Sequence, residues 1–155
     1  MVNIRIRVKN LIRKYGTRNP LKIAKETGIQ VIYWSFTDQT KGYSVKMLRN
    51  KFIVINSLLD DVSREVVAAH ELGHAILHSS CDTYCLREYT LFPIGPYERQ
   101  ANIFAAELLI DEKDLNEYIL CNMCNEDIAS CFNVPVQLIE YKLESLRQCY
   151  RSKLL

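Results

Sequence analysis

The chain has no apolar run that approaches the length of a membrane span, so a membrane protein is not expected. It has no internal repeat and no low-complexity segment, which argues against a repeat architecture. It has almost no net charge. A balance of +2 is too small to argue for a nucleic-acid or membrane partner. The first residues, Met1 to Arg7, lack an apolar core, and no secretory signal is expected. Histidine is scarce. The three present (His70, His74, His78) all fall within one short segment.

What is there is ordinary soluble composition, 48% apolar and 25% charged over 155 residues. That length suits a single domain able to bury a core. Six cysteines are many for it, and their spacing is uneven. Without a secretory signal the expectation is reduced thiols and a cytoplasmic protein. Cys81-x3-Cys85 with Cys121-x2-Cys124 would also satisfy a four-thiolate zinc site. The plainer alternative is small, apolar-like or incidental surface thiols.

The informative stretch is His70-Glu71-Leu72-Gly73-His74, an H-E-x-x-H sequence. On an α-helix, residues four apart lie about one turn apart on the same face. Two imidazoles can then reach one metal ion, and Glu71 sits beside it, placed to take a proton from water. The surrounding pattern predicts such a helix. Val66, Val67, Ala69, His70, Gly73, His74, Ile76 and Leu77 form one stripe at helical period, to about Ser79. An unliganded histidine pair would be a poor choice on that apolar face.

Upstream, residues 3–15 alternate early and then read as a helix closed by Gly16, and Asn19-Pro20 opens a second one ending at Gly28. Ile29–Phe36, Tyr43–Leu48 and Phe52–Asn56 read as strands. Their short connections predict an antiparallel three-stranded meander. Asp60, Asp61 and Ser63 offer N-caps for the motif helix. Residues 80–96 read as loop. Helices follow from Pro96 to about Ile110 and from Asp111 to about Leu120. Two short ones then span 126–146, split near Pro135. The fold class expected is α+β: a small antiparallel three-stranded sheet packed on helices. The core covers about 15–120, with a C-terminal helical element at about 121–155.

A catalytic zinc usually takes three protein ligands. The extended form H-E-x-x-H-x-x-G-x-x-H is absent, because Leu77 and Ser80 stand where it needs Gly and His. A later carboxylate is the expected third ligand. At about 100° per residue, Glu98, Ala101, Asn102, Ala105, Leu108 and Leu109 share one side of the helix after the loop. A glutamate in such a stripe is costly to bury unless it is paired or metal-bound. Glu98 is therefore the candidate, with Asn102 one turn on to hydrogen-bond a ligand. Ala101 and Ala105 permit close approach to the motif helix. Glu107, on the opposite side, is expected on a solvated face. Asp82, Glu88 and His78 are the fallbacks. His78 is expected to pack or hydrogen-bond near the site.

These residues resemble a family, the ImmA/IrrE zinc metallopeptidases of bacterial mobile elements and phages. The resemblance is carried by Ala69–His78 and by Glu98–Leu109, with support from Ile23-Ala24, Gly28-Ile29 and Ile55-Asn56. Ile128-Ala129 through Val134 and Leu143 resemble the helical element that often follows the catalytic core. One departure is Asp111 after Leu109-Ile110, where the family's second motif often ends in Pro. The cysteine richness is a second departure. The resemblance implies a thermolysin-like minimal metalloprotease core. It implies one Zn2+ per chain held by His70, His74 and Glu98, with Glu71 as general base. It also implies a protein substrate, a repressor with a helix-turn-helix domain, whose cleavage derepresses the genes of a mobile element or prophage.

An oxyanion donor is expected among Tyr84, Tyr89 and Tyr97, and strands 43–48 and 52–56 offer an edge for an extended substrate. A monomer is expected, and direct nucleic-acid binding is not. The first rival is a zinc-containing regulator that binds a repressor or DNA without cleaving. The second is a structural metal site closed by His78 or Asp82.

Overall fold

The computed structural model describes residues 3–78 and 95–151. Local signals set the first elements. Helix α1 (Ile4–Tyr15) starts where the Asn3 side chain accepts from the Ile6 amide, and it stops at Gly16 in the left-handed region. Helix α2 (Pro20–Glu26) is capped by Asn19, with Pro20 in the first turn, where its missing N–H costs nothing. Its C-cap is Thr27, and Gly28 follows with φ +75°.

Three strands follow: β1 (Ile29–Trp34), β2 (Gly42–Met47) and β3 (Asn50–Asn56). The α+β class holds, but the antiparallel meander does not. The sheet order is β1-β3-β2, with β1 parallel and β2 antiparallel to β3. The reason lies in the two connections. Met47 pairs with Asn50 across the tight Leu48-Arg49 turn, so β2 and β3 must be neighbours. Residues 35–41 between β1 and β2 are a longer link. They can span two strand spacings of about 4.8 Å each, and β3 occupies the gap.

The motif helix α3 (Asp61–Leu77) is capped by Asp60, whose carboxylate accepts from the Ser63 amide at 2.8 Å. Helices α4 (Pro96–Leu109), α5 (Glu112–Leu120), α6 (Asn125–Phe132) and α7 (Val136–Arg151) complete the described chain. The last is longer than the short helix expected there. Helix α3 packs on β2 and β3 and also on α4, and α4 in turn carries α1 and α7. The core runs through these layers: Ile53 and Ile55 from the sheet, Val67 and Leu72 from α3, Phe104 and Leu108 from α4, Leu138 and Ile139 from α7. Burying side chains of this size stabilises by about 1.5–3 kcal/mol each.

The α4–α7 contact overturns one expectation. Glu107 is not on a solvated face; it is 2% exposed. It does lie opposite the Glu98 stripe, but α7 covers that side. Lys142 donates to its Oε2 at 2.5 Å and Ser145 to its Oε1 at 2.7 Å. Burial pushes the Lys142 ammonium down from its ordinary value, and the Glu107 carboxylate opposes that. The missed signal was on α7, where Lys142 falls within the stripe of Leu138, Ile139 and Leu146, all buried.

Candidate metal centre

His70 and His74 project from one face of α3, and both are buried. Their Nε2 atoms lie 3.0 Å apart. The first turn of α4 brings Glu98 to them, with Oε2 3.2 Å from each Nε2. Among the described residues, the cluster of histidine, cysteine and carboxylate groups able to hold a metal ion is these three, with ligand atoms within 4.8 Å of one another.

The chemistry of this set fits a divalent cation. Asn102 Oδ1 lies 2.7 Å from His70 Nδ1. An amide oxygen only accepts, so Nδ1 must carry the proton. In the neutral ring Nε2 then presents its lone pair to His74 and Glu98. A lone pair facing a carboxylate is unfavourable without a positive charge between them. Glu98 Oε1 is also buried with no hydrogen-bond partner among the described residues. Burial by itself pushes the Glu98 carboxyl up, but hydrogen bonding and positive charge at the facing His70 and His74 nitrogens, the place a bound cation would take instead of protons, outweigh it and hold the group well below the usual carboxylate range. It is ionised at neutral pH, as a metal-binding carboxylate must be. Two imidazoles and a carboxylate form a donor set suited to zinc and its neighbours in the first transition row.

Glu71 is 1% exposed, on the same turn as His70. Close backbone packing brings the surrounding elements in. A Cβ built at Gly73 would lie 3.1 Å from both Ala101 Cα and Phe104 Cβ, so the absent side chain lets α4 approach α3. A Cβ at Gly42 would lie 2.6 Å from Val67 Cγ1 and 2.9 Å from the Val54 oxygen, and only 3.8 Å from Glu71 Cγ. Strand β2 pairs only with β3 among the described residues, and its first residue, Gly42, lies against the Glu71 side chain.

His78 is the C-cap of α3, not a member of the cluster. Its ring lies 5.5 Å from that of His74 and 4.8 Å from that of Tyr97, centroid to centroid. It packs beside the cluster. Burial lowers its pKa, with a smaller push in the same direction from His74. Tyr97 is 52% exposed, at the start of α4. Asp82, Glu88, Tyr84, Tyr89, Cys81 and Cys85 lie outside the described residues. Cys121 and Cys124 are exposed, near the α5–α6 turn.

Residues 24–144 match the peptidase family described as IrrE N-terminal-like domain. An "Uncharacterized immunity region protein 2" of Bacillus phage phi105 is 40% identical over 139 residues, covering 90% of this chain and 88% of that protein. "Metallopeptidase ImmA" of Bacillus subtilis (strain 168) is 32% identical over 149 residues, covering 92% and 85%.

Proposed function

The chain belongs to the IrrE N-terminal-like peptidase family, and from that premise we propose that it is a zinc-dependent endopeptidase that cleaves a partner protein. The substrate we infer is a helix-turn-helix repressor, whose cleavage would derepress genes of a mobile element or prophage. The observation that carries the reading is the convergence of His70, His74 and Glu98, with the buried Glu71 next to His70 on the same helix turn. The immunity-region and metallopeptidase names of the relatives support the biological setting.

In this reading His70, His74 and Glu98 hold the ion, and Asn102 fixes the His70 tautomer. Zinc bound there would supply a Lewis acid that makes water acidic near neutral pH and polarises the scissile carbonyl. Glu71 accepts the proton of the attacking water and passes it to the leaving amine as the C–N bond breaks. The edge of β2 offers backbone groups to an extended substrate, and Gly42 brings that edge against Glu71. We infer a cytoplasmic enzyme, in keeping with the absence, among the described residues, of a helix long and apolar enough to cross a membrane.

The rival is a zinc-containing regulator that binds without cleaving. The α6–α7 pair, joined through a left-handed Asn133, is the feature that favours it. The charges on α7 favour the enzyme. Lys142 is turned inward to Glu107, while a surface groove is lined by Gln137, Glu140, Tyr141 and Glu144. A face made to meet phosphates would carry cations instead. A closed structural site finds no support among the described residues, because His78 stands outside the cluster.

The test mixes the purified protein with the helix-turn-helix repressor encoded nearest to its gene, with and without a chelator, and reads fragments by mass spectrometry. Fragments that require both the metal and Glu71 are expected. A Glu71→Gln protein that keeps zinc and still cleaves would sink the mechanism. A zinc-loaded parent that binds the repressor without fragments would favour the regulator.

A further inference from the structure

Glu98 sits in the first turn of α4, and that turn has no side-chain cap: Gly95 precedes it and contributes none. The first amides of a helix have no partner within it, so an uncapped end is the part most ready to fray. A metal-binding carboxylate has to be held to a few tenths of an ångström. The hydrogen bonds of α4 alone do not secure that.

Two contacts to other elements do, and they flank Glu98 in sequence. On one side the Tyr97 ring meets His78, the last residue of the motif-helix region. On the other, Arg99 forms an ion pair with Glu144 of α7. The Arg99 guanidinium also lies 5.9 Å from the Tyr141 ring, one turn earlier on α7. Glu144 is held in turn by Gln148, which donates to it at 3.3 Å. At the far end of α4, Lys142 and Ser145 of the same helix hold Glu107. Helix α7 thus grips α4 at both ends. Successive residues of a helix point about 100° apart, so Arg99 is turned away from α3 while Glu98 faces it. Anchoring Arg99 therefore fixes the rotation of the turn that presents Glu98.

We propose that α7 is a working part of the metal centre: Arg99 is a positioning residue, and Tyr141 and Glu144 set the place of the Glu98 carboxylate through it. The inference rests on the reading of His70, His74 and Glu98 as the metal-binding set. It makes the C-terminal helix a buttress of the site. Arg99 and Glu144 are half-exposed, and such pairs add little to global stability. Their effect falls on the geometry of one turn.

The experiment measures zinc affinity by competition with a chromophoric chelator, and the visible spectrum of the cobalt-loaded protein. The proteins are the parent, a Tyr141→Leu/Glu144→Gln double variant, and Glu140→Gln. The last removes one charge from α7 without touching Arg99, and so controls for simple electrostatics. The double variant is expected to bind zinc about 3- to 10-fold more weakly than the Glu140→Gln control and to shift the cobalt band. The metal-free melting temperatures of the two should match. Equal affinities and identical cobalt spectra would overturn the proposal, as would a loss that the control reproduces in full. A parent that takes up no zinc would instead overturn the metal reading on which it rests.

Discussion

Replacing Gly73 by alanine sets two effects of known size against each other. Within a helix, alanine is favoured over glycine by about 1 kcal/mol, so on propensity alone the variant gains stability. Packing opposes that. The new Cβ would lie 3.1 Å from Ala101 Cα, 3.1 Å from Phe104 Cβ and 3.3 Å from the Ala101 oxygen. Two of these three atoms are backbone, which cannot rotate aside, so α4 must move off α3 by a few tenths of an ångström. Overpacking of this kind costs about 1–3 kcal/mol, and the net change in unfolding free energy should be a loss of between about 0 and 2 kcal/mol. The larger effect is on the site. Ala101 and Glu98 are one turn apart on the same face of α4, so the shift reaches Glu98. Metal-ligand distances tolerate only about 0.2 Å. We therefore expect zinc affinity to fall about 10-fold or more while the protein still unfolds cooperatively. Denaturation followed by circular dichroism and a zinc competition titration measure the two quantities. A Gly73→Ala protein more stable than the parent, with unchanged zinc affinity, would refute the claim that this glycine sets the α3–α4 spacing.

Lys142→Met should cost about 3–5 kcal/mol, because it strands the Glu107 carboxylate in the core. The melting temperature should drop on the order of 10 °C, and a loss below about 1 kcal/mol would mean that the buried pair is not formed in solution. Asn102→Ala removes the acceptor that fixes the His70 tautomer; zinc affinity should fall about 10- to 100-fold, and an unchanged value would argue against that role. Acid should destabilise the fold through Glu112. Burial pushes its carboxyl up, but the bonds from Lys9 and Arg5 outweigh this and leave its folded pKa below the ordinary 4.5. Its stabilising contribution is therefore full above that ordinary value and is lost as pH falls through the depressed one. Glu112→Gln should flatten the acid limb of the stability curve, and an unaltered slope would show that another group dominates it.

Much of the site could be read along the chain, because its determinants are local. The H-E-x-x-H spacing needs only a helix, and the stripe from Val66 to Leu77 ensures one. The sequence points to Glu98 because a glutamate among small apolar residues needs a partner, and the fold places it beside His70 and His74. The caps at Asn19 and Asp60 are side-chain bonds to amides three residues away, and sequence carries such signals well.

Other features depended on which elements meet. Helical periodicity assigns Glu107 to the face opposite Glu98, but it cannot say that α7 will cover that face and supply Lys142. Strand pattern identifies three strands, but residues 35–41 are long enough to let β3 enter between β1 and β2, and the pairing energies of the assembled sheet decide the order. Gly73 reads as a tolerable weakness in a helix until α4 is laid against it. The chain by itself determined the groups that could hold a metal, since spacing and side-chain chemistry are properties of one segment at a time. Only the tertiary structure decided how closely those groups approach and what holds them there, since burial and contact belong to pairs of segments far apart in sequence.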